Sequence, residues 1–312
     1  MRSERPYVIV NPKSGGGLSE AKWARLVGRL SEGLGPFDAA FTEARGHARD
    51  LAKEAAPQRD LVVAFGGDGT ISEVAGGLLE AVRAGLAKLP ELGIIPRGTG
   101  GDYRRSLALP DDLSQAARHV GASRARVVNS GHVSYVRHDG QPGHGTFVNV
   151  ASFGFSSTVA HRANGSSKAL GGKVAFLSAT LSSLVSYENS DVILRINGGE
   201  PIQRRMLLTA IGNGRFFGGG MKICPNASLD AEGLNMVTVG DLSKGEVMRY
   251  LPRIFSGSHL TIEGVSELRD VQTVEALPAD PDAHIPIELD GETPGRLPAT
   301  FTFVPRSLRV RF

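Results

Sequence analysis

The stretch LVVAFGGDGTISEV, Leu61 to Val74, decides the fold. Leu61 to Phe65 is an unbroken apolar run of strand length, as expected for a strand covered on both faces. Gly66-Gly67-Asp68-Gly69-Thr70 interrupts it. Beyond the glycines, Ile71, Val74, Leu78, Leu79 and Val82 recur at helical spacing, and Thr70 and Glu73 stand as in a capping box. The turn between has its own chemistry. Glycines carry no Cβ, so phosphate oxygens can approach the backbone, and the helix start offers N–H groups and the positive end of a dipole. Asp68 beside phosphate is repulsive unless a cation or water intervenes, which points to Mg²⁺-ATP. The plainer alternative is a tight turn with Asp68 capping the next helix.

The same logic repeats on both sides. YVIVN at 7–11 reads as a strand, and Asn11-Pro12-Lys13-Ser14-Gly15-Gly16-Gly17 follows it. A helix is expected over 19–32, stopped by Gly33 and Gly35, then a strand at 37–42 and a helix at 46–56 ended by Pro57. A fourth strand at 92–96 leads into Gly98-Thr99-Gly100-Gly101-Asp102-Tyr103. Three glycine loops thus follow three strands at the carboxyl edge of a parallel sheet, where open α/β sheets bind ligands. The first loop lacks P-loop spacing and is weak alone. Arg97, Arg104 and Arg105 flank the third loop and are candidates to attract phosphate.

The pattern changes near residue 125. Alternating segments at 191–197, 206–212, 234–239, 261–265 and 285–289 predict an antiparallel sandwich, with helices at 171–187 and 244–255 and final strands near 299–304 and 307–312. The expected division is an α/β domain over 1–128 and a β-rich domain over 129–304, with the strand at about 305–312 free to return to the first.

Composition sets outer limits. With 312 residues, 41% apolar and 21% charged, the chain has material for two cores and is neither disordered nor a coiled coil. Net charge +3 is mild and fits an anionic ligand or surface. A single cysteine, Cys224, excludes an internal disulfide framework and paired-thiolate metal sites and points to a reducing, cytoplasmic setting. No apolar run reaches membrane-spanning length, and Tyr7 to Val10 is too brief for a leader. No basic stripe interleaved with aromatics marks a nucleic-acid partner. The histidines show no ligand spacing, and Cys224 reads as a small core residue.

NPKSGGG at 11–17, GGDGTISEV at 66–74, PRGTGGDYRRSL at 96–107, NGRFFGGGMKICPNA at 213–227 and LDGE at 289–292 together resemble the catalytic region shared by diacylglycerol kinases, sphingosine kinases and their bacterial relatives. GGDGT alone is shared with NAD kinases; the combination is far more specific. The resemblance spans about 7–312. It implies an N-terminal three-layer α/β domain that binds ATP and a C-terminal β-rich domain that supplies the lipid site, with the cleft between them as the active centre. It implies that Asn11, Pro12, Lys13, Ser14, Gly15, Thr42, Gly67 to Glu73 and Thr99 contact nucleotide, and that Glu292 is the catalytic base. An alcohol must lose its proton as it attacks the γ-phosphorus, and a carboxylate within reach can take it. Read without the resemblance, Asp290-Gly291 is simply a hairpin signal. The resemblance also implies a lipid substrate met at a membrane surface, hence a cytoplasmic enzyme peripheral to the bilayer during catalysis. Oligomeric state is not written in the sequence; a homodimer is one option.

Three departures stand out. Gly101-Asp102 replaces the family's usual Asn-Asp. Asn129 stands where many relatives have Asp, which would leave one partner of the base neutral. The segment after Pro225-Asn226-Ala227 is one residue longer, with Glu232 in the place of an Asp that helps some relatives hold a structural Mg²⁺. A cation there would use Asp230, Glu232 and a backbone carbonyl such as that of Leu234; a solvated acidic loop is the equal alternative. Two rival functions remain open at this stage: an NAD kinase-like enzyme with a soluble acceptor, and a catalytically weak lipid- or nucleotide-binding protein.

Overall fold

The structure is a computed structural model that describes residues 2–98, 100–165, 182–184 and 186–312. The chain folds as two compact units, Met1–Val128 with Arg306–Phe312, and Asn129–Pro305.

The first unit alternates strands and helices: β1 (Tyr7–Val10), α1 (Glu20–Leu34), β2 (Asp38–Phe41), α2 (His47–Ala55), β3 (Leu61–Gly66), α3 (Asp68–Arg83), β4 (Glu91–Pro96), α4 (Asp102–Ser106) and α5 (Leu113–Ala122). The strands pair in parallel in the order β2-β1-β3-β4. Val310 and Arg311 near the chain's end add a parallel pairing beside Leu92 and Gly93 of β4. All six residues of β3 are buried, so its unbroken apolar run reflects cover on both faces. Val8, Val10, Val63, Phe65 and Ile95 meet Leu30 of α1 and Val120 of α5 in one core.

Two details depart from the sequence reading. Gly33 does not stop α1 but lies inside it, because a Cβ there would come within 2.5 Å of the Ala117 backbone in α5. The helix ends at Leu34, with Gly35 at φ 75° behind it. The expected Thr70–Glu73 capping box is absent. Helix α3 starts at Asp68 with Gly67 as N-cap and no side-chain cap bond. The Glu73 carboxylate instead accepts the N–H groups of Gly46 (2.9 Å) and Ala48 (3.2 Å) and caps α2.

The second unit is mostly antiparallel. Strand β5 (Ala125–Arg137) leads into it, followed by β6 (Pro142–Phe147), β7 (Val150–Gly154), helix α6 (Phe155–Gly165), β8 (Ser190–Ile196), β9 (Ile202–Gly212), β10 (Leu234–Gly240), α7 (Lys244–Tyr250), α8 (Arg253–Ser256), a 3₁₀ turn (Ser258–Thr261), β11 (Val265–Val271), β12 (Thr273–Pro278), β13 (Pro286–Leu289) and β14 (Glu292–Arg311). Hydrogen-bonded neighbours run β9-β7-β13-β14-β12-β8 and back to β9, so the expected sandwich curls into a closed ring. Phe147, Phe153 and Phe301 are among its fully buried filling, with Phe153 and Phe301 ring centroids 5.8 Å apart. The expected strand at 261–265 is instead the end of the 3₁₀ turn and a bend, and pairing starts at Val265. The helix expected over 244–255 is two helices, since Pro252 has no N–H to continue the first. Most of the helix expected at 171–187 lies outside the described residues. The two expected final strands are one, β14, with Arg306 at φ 50° between its halves.

Candidate active site

Two groups of sequence-marked residues are assembled, one in each unit. In the first, the glycine loops of β1, β3 and β4 are tied to one another by side chains. Asn11 takes a β-type bond from its own N–H to the Phe65 carbonyl (3.0 Å), and its amide donates to Thr70 Oγ1 (3.0 Å). Its Oδ1 accepts the Lys13 N–H (2.9 Å), and its carbonyl accepts Ser14 Oγ–H (2.7 Å). One side chain therefore fixes the first loop and binds it to the second. Thr42 sits buried just past β2 and donates its N–H to Val10 (2.8 Å).

Asp68 joins the second loop to the third. Its two carboxylate oxygens accept the N–H groups of Asp102 and Tyr103, each at 3.2 Å. Asp68 thus caps a helix, but it is α4 of the next loop and not its own. Two glycines serve this junction directly. A Cβ on Gly98 would lie 2.8 Å from the Gly67 Cα, and one on Gly100 would lie 2.5 Å from Asp68 Oδ2. Gly101 is the left-handed N-cap of α4, at φ 66°. Asn and Gly are the residues that tolerate this conformation, which explains why glycine stands in the family's asparagine place. Thr99 lies outside the described residues.

The three flanking arginines are all engaged inside this unit. Arg97 donates to the carbonyls of Ser14 and, at 2.7 Å, Gly17. Burial lowers its guanidinium below the ordinary arginine value. Arg104 binds the Leu109 carbonyl (3.0 Å) and Asp111 (3.3 Å), and Arg105 binds Gly100 and Asp102 (2.9 Å). Composition near the loop exposes the charge of these residues but not their partners. They shape the loops from behind.

In the second unit, Asp290-Gly291 is a two-residue hairpin turn, with φ 49° and 94°, and Leu289 pairs with Glu292 across it. The hairpin and functional readings of this motif are therefore compatible: the turn delivers half-buried Glu292 as the first residue of β14. Asp290 accepts three backbone N–H groups, from Val148 (2.9 Å), Asn149 (3.0 Å) and Val150 (3.1 Å). Glu288, 4% exposed, accepts Ser152 Oγ–H (2.5 Å) and the Gly291 N–H. Asn149 donates to the Phe216 carbonyl (2.7 Å), and Asn213 donates to Asn129 (2.9 Å) and Val148 (2.7 Å). Sequence reasoning missed Glu288, Asn149 and Asn213. A charged residue inside an apolar strand, for Glu288, and an amide at the end of one, for Asn149 and Asn213, were the available signals.

The loop after Ala227 carries its acids at the surface. Asp230 and Glu232 are exposed, and Leu234 is buried in β10. The Ala231 carbonyl accepts the Asn129 amide (2.8 Å), and the Glu232 carbonyl accepts the Gln272 amide (2.7 Å). Buried Asn129 also binds Leu229 through its N–H (2.8 Å). An aspartate at 129 would set a carboxylate oxygen against a carbonyl. Asn129 is the loop's clasp, and its neutrality is a requirement of that bond.

The second unit also holds a pocket of about 90 Å³, lined almost wholly by apolar side chains, among them Phe155, Leu208, Phe217, Met221, Leu251 and Ile254. Buried His259 is part of its wall and bonds the Ile223 carbonyl through Nε2 (3.0 Å).

Comparison with known proteins identifies the family. Residues 5–133 match the diacylglycerol kinase catalytic domain, and residues 149–312 match the YegS C-terminal NAD kinase beta sandwich-like domain. A diacylglycerol kinase of Mycobacterium tuberculosis (strain ATCC 25618 / H37Rv) is 30% identical over 97% of this chain and 93% of its own. The chain belongs to the diacylglycerol kinase family. It is a lipid kinase, and the relationship runs through both units. A diacylglycerol kinase of Bacillus subtilis (strain 168) is 27% identical over 98% of this chain and 96% of its own. A crystal structure of a diacylglycerol kinase from Bacillus anthracis str. Sterne shares the fold, with a TM-score of 0.72 at 21% identity, covering 99% of this chain and 97% of that one. Among the described residues of this lipid kinase, no helix is long and apolar enough to cross a membrane.

Proposed function

We propose that this lipid kinase transfers the γ-phosphoryl group of ATP to the hydroxyl of a diacylglycerol- or sphingoid-type lipid. The observation that carries the reading is the tie between the three glycine loops through Asn11 and Asp68. Loops held this way keep their N–H groups in place before a triphosphate arrives, so little ordering is needed on binding. Asn11 to Gly15, Thr42, Gly66 to Thr70 and the third loop with Thr99 and Asp102 form the nucleotide rim. Glu73, in α3, supports it by capping α2. Mg²⁺ bound with the triphosphate supplies charge neutralisation, and Asp68 is the rim carboxylate that would orient its hydration shell.

Glu292 takes the acceptor proton. Glu288 and Asp290 hold the turn that presents it, so its approach to a substrate hydroxyl is set by a rigid hairpin. The apolar cavity supports an aliphatic acceptor over a dinucleotide, since it offers almost no polar partner for a ribose or phosphate. The reading is tested by incubating the protein with labelled ATP and fractionated lipids, with NAD in a parallel assay. Label in a lipid product is expected. Label in NAD alone, or ATP left intact with every lipid, overturns it.

A further inference from the structure

The cavity wall has an outer side. Helices α7 and α8 contribute Val247, Tyr250 and Ile254 to the cavity lining, and Leu251 between them adds a fourth apolar side chain. The same two helices expose Met248 (48%) and Phe255 (51%), the highest exposures among the described large hydrophobic residues. Around them stand exposed Lys244, Arg249 and Arg253. Arg249 and Arg253 both lie over the Tyr250 ring, 5.7 and 5.3 Å from its centroid, so their stems are held near the helix surface. The one acidic residue of the stretch, Glu246, is bound to Ser243 in a capping box. A short basic stretch that buries one set of apolar residues and exposes another has the composition of an interfacial anchor.

We propose that Lys244–Ser256 is a membrane-docking element that seats on an anionic bilayer leaflet. Met248 and Phe255 enter the acyl boundary, while Arg249, Arg253 and Lys244 meet lipid phosphates. Charge complementarity selects the leaflet, because each basic side chain near an anionic surface favours binding, and Lys244, Arg249 and Arg253 outweigh the single acid, Glu246. Continuity with the cavity gives the docking its purpose. The residues that touch the leaflet alternate with those that line the cavity, so an acceptor lipid passes from bilayer to protein along one pair of helices. This rests on the lipid-acceptor reading above.

The test uses the full chain and two kinds of vesicle, pure phosphatidylcholine and phosphatidylcholine with phosphatidylglycerol. Co-sedimentation is expected to favour the anionic vesicles and to weaken with salt. Met248→Glu with Phe255→Glu is expected to reduce binding by about tenfold or more, and Arg249→Gln with Arg253→Gln to remove the preference for phosphatidylglycerol. Phosphorylation of a short-chain, monomerically dissolved acceptor is expected to stay within about twofold in both variants, which separates docking from folding and chemistry. Equal sedimentation of wild type and both variants, or no sedimentation of wild type with either vesicle, overturns the proposal. If wild type docks through these residues yet phosphorylates no lipid, the docking stands and the acceptor reading falls.

Discussion

The proposed nucleotide rim and the Glu292 hairpin are built in opposite ways. The rim is built from backbone, and side chains such as Asn11, Asp68 and Arg97 bind one loop to the next. The hairpin is built from side chains, with Asp290 collecting three N–H groups and Glu288 a hydroxyl and a fourth N–H. A triphosphate needs several donors on a fixed curve, which glycine loops provide. A general base needs one carboxylate at one place, which a braced turn provides. The consequence is that damage should spread differently. Loss of a tie in the rim weakens binding by degrees, whereas loss of the one carboxylate on the hairpin removes turnover and spares binding.

The largest expected effect breaks that comparison at its sharpest point. Glu292→Gln should lower kcat by about a thousandfold while the calorimetric ATP affinity stays within about twofold. Equal losses in both would show that the hairpin is not confined to chemistry. Asp68→Ala should raise the KM for ATP by about tenfold or more, because two N–H groups of the third loop lose a charged acceptor. A kcat loss with unchanged KM would place Asp68 on the chemistry instead.

Smaller effects sharpen the contrast between binding and support. Glu73→Ala should cost about 1–2 kcal/mol of stability through the lost α2 cap, read by denaturant unfolding, with KM for ATP little changed. The second unit carries a pH signature. Burial lowers His259 below the ordinary histidine value, with the Ile223 carbonyl and the Glu267 charge opposing it in part. The unfolded chain then takes up the proton more readily than the folded one. Stability should therefore fall as pH drops through and below about 6.5 and be fully present above it. His259→Gln should flatten part of that slope in unfolding curves recorded over the same range. Least of all, Cys224 should resist alkylation in the folded protein. Burial raises its thiol, the Glu267 charge adds to this, and the Gly212 N–H only partly offsets it.

The parallel half of the fold was legible because its signals are local. β3, the GGDGT turn and the face of α3 lie within one continuous stretch, and each element carries its own periodicity. The glycines were legible as a loop but not fully as a mechanism. Gly98 and Gly100 are small because Gly67 and Asp68 stand against them. The ring of the second unit was read only as alternation. Which strand pairs with which is not encoded in any one strand, and the bend at 261–265 imitates a strand in composition. The cap that Glu73 gives to α2 spans 27 residues, beyond any local spacing rule.

By itself the sequence determined the order of elements from β1 to β4, the three loops and the hairpin turn, since backbone conformation at glycine and Asp-Gly is set by sterics within a few residues. It also marked Glu292, as a family motif. Tertiary structure alone decided what braces these pieces. Asp68, the first residue of α3, caps α4, Asn129 clasps a loop about a hundred residues away, and the arginines near the third loop serve carbonyls and carboxylates. A buried polar group must find a partner somewhere, but chain proximity does not say where. Only the packed fold does.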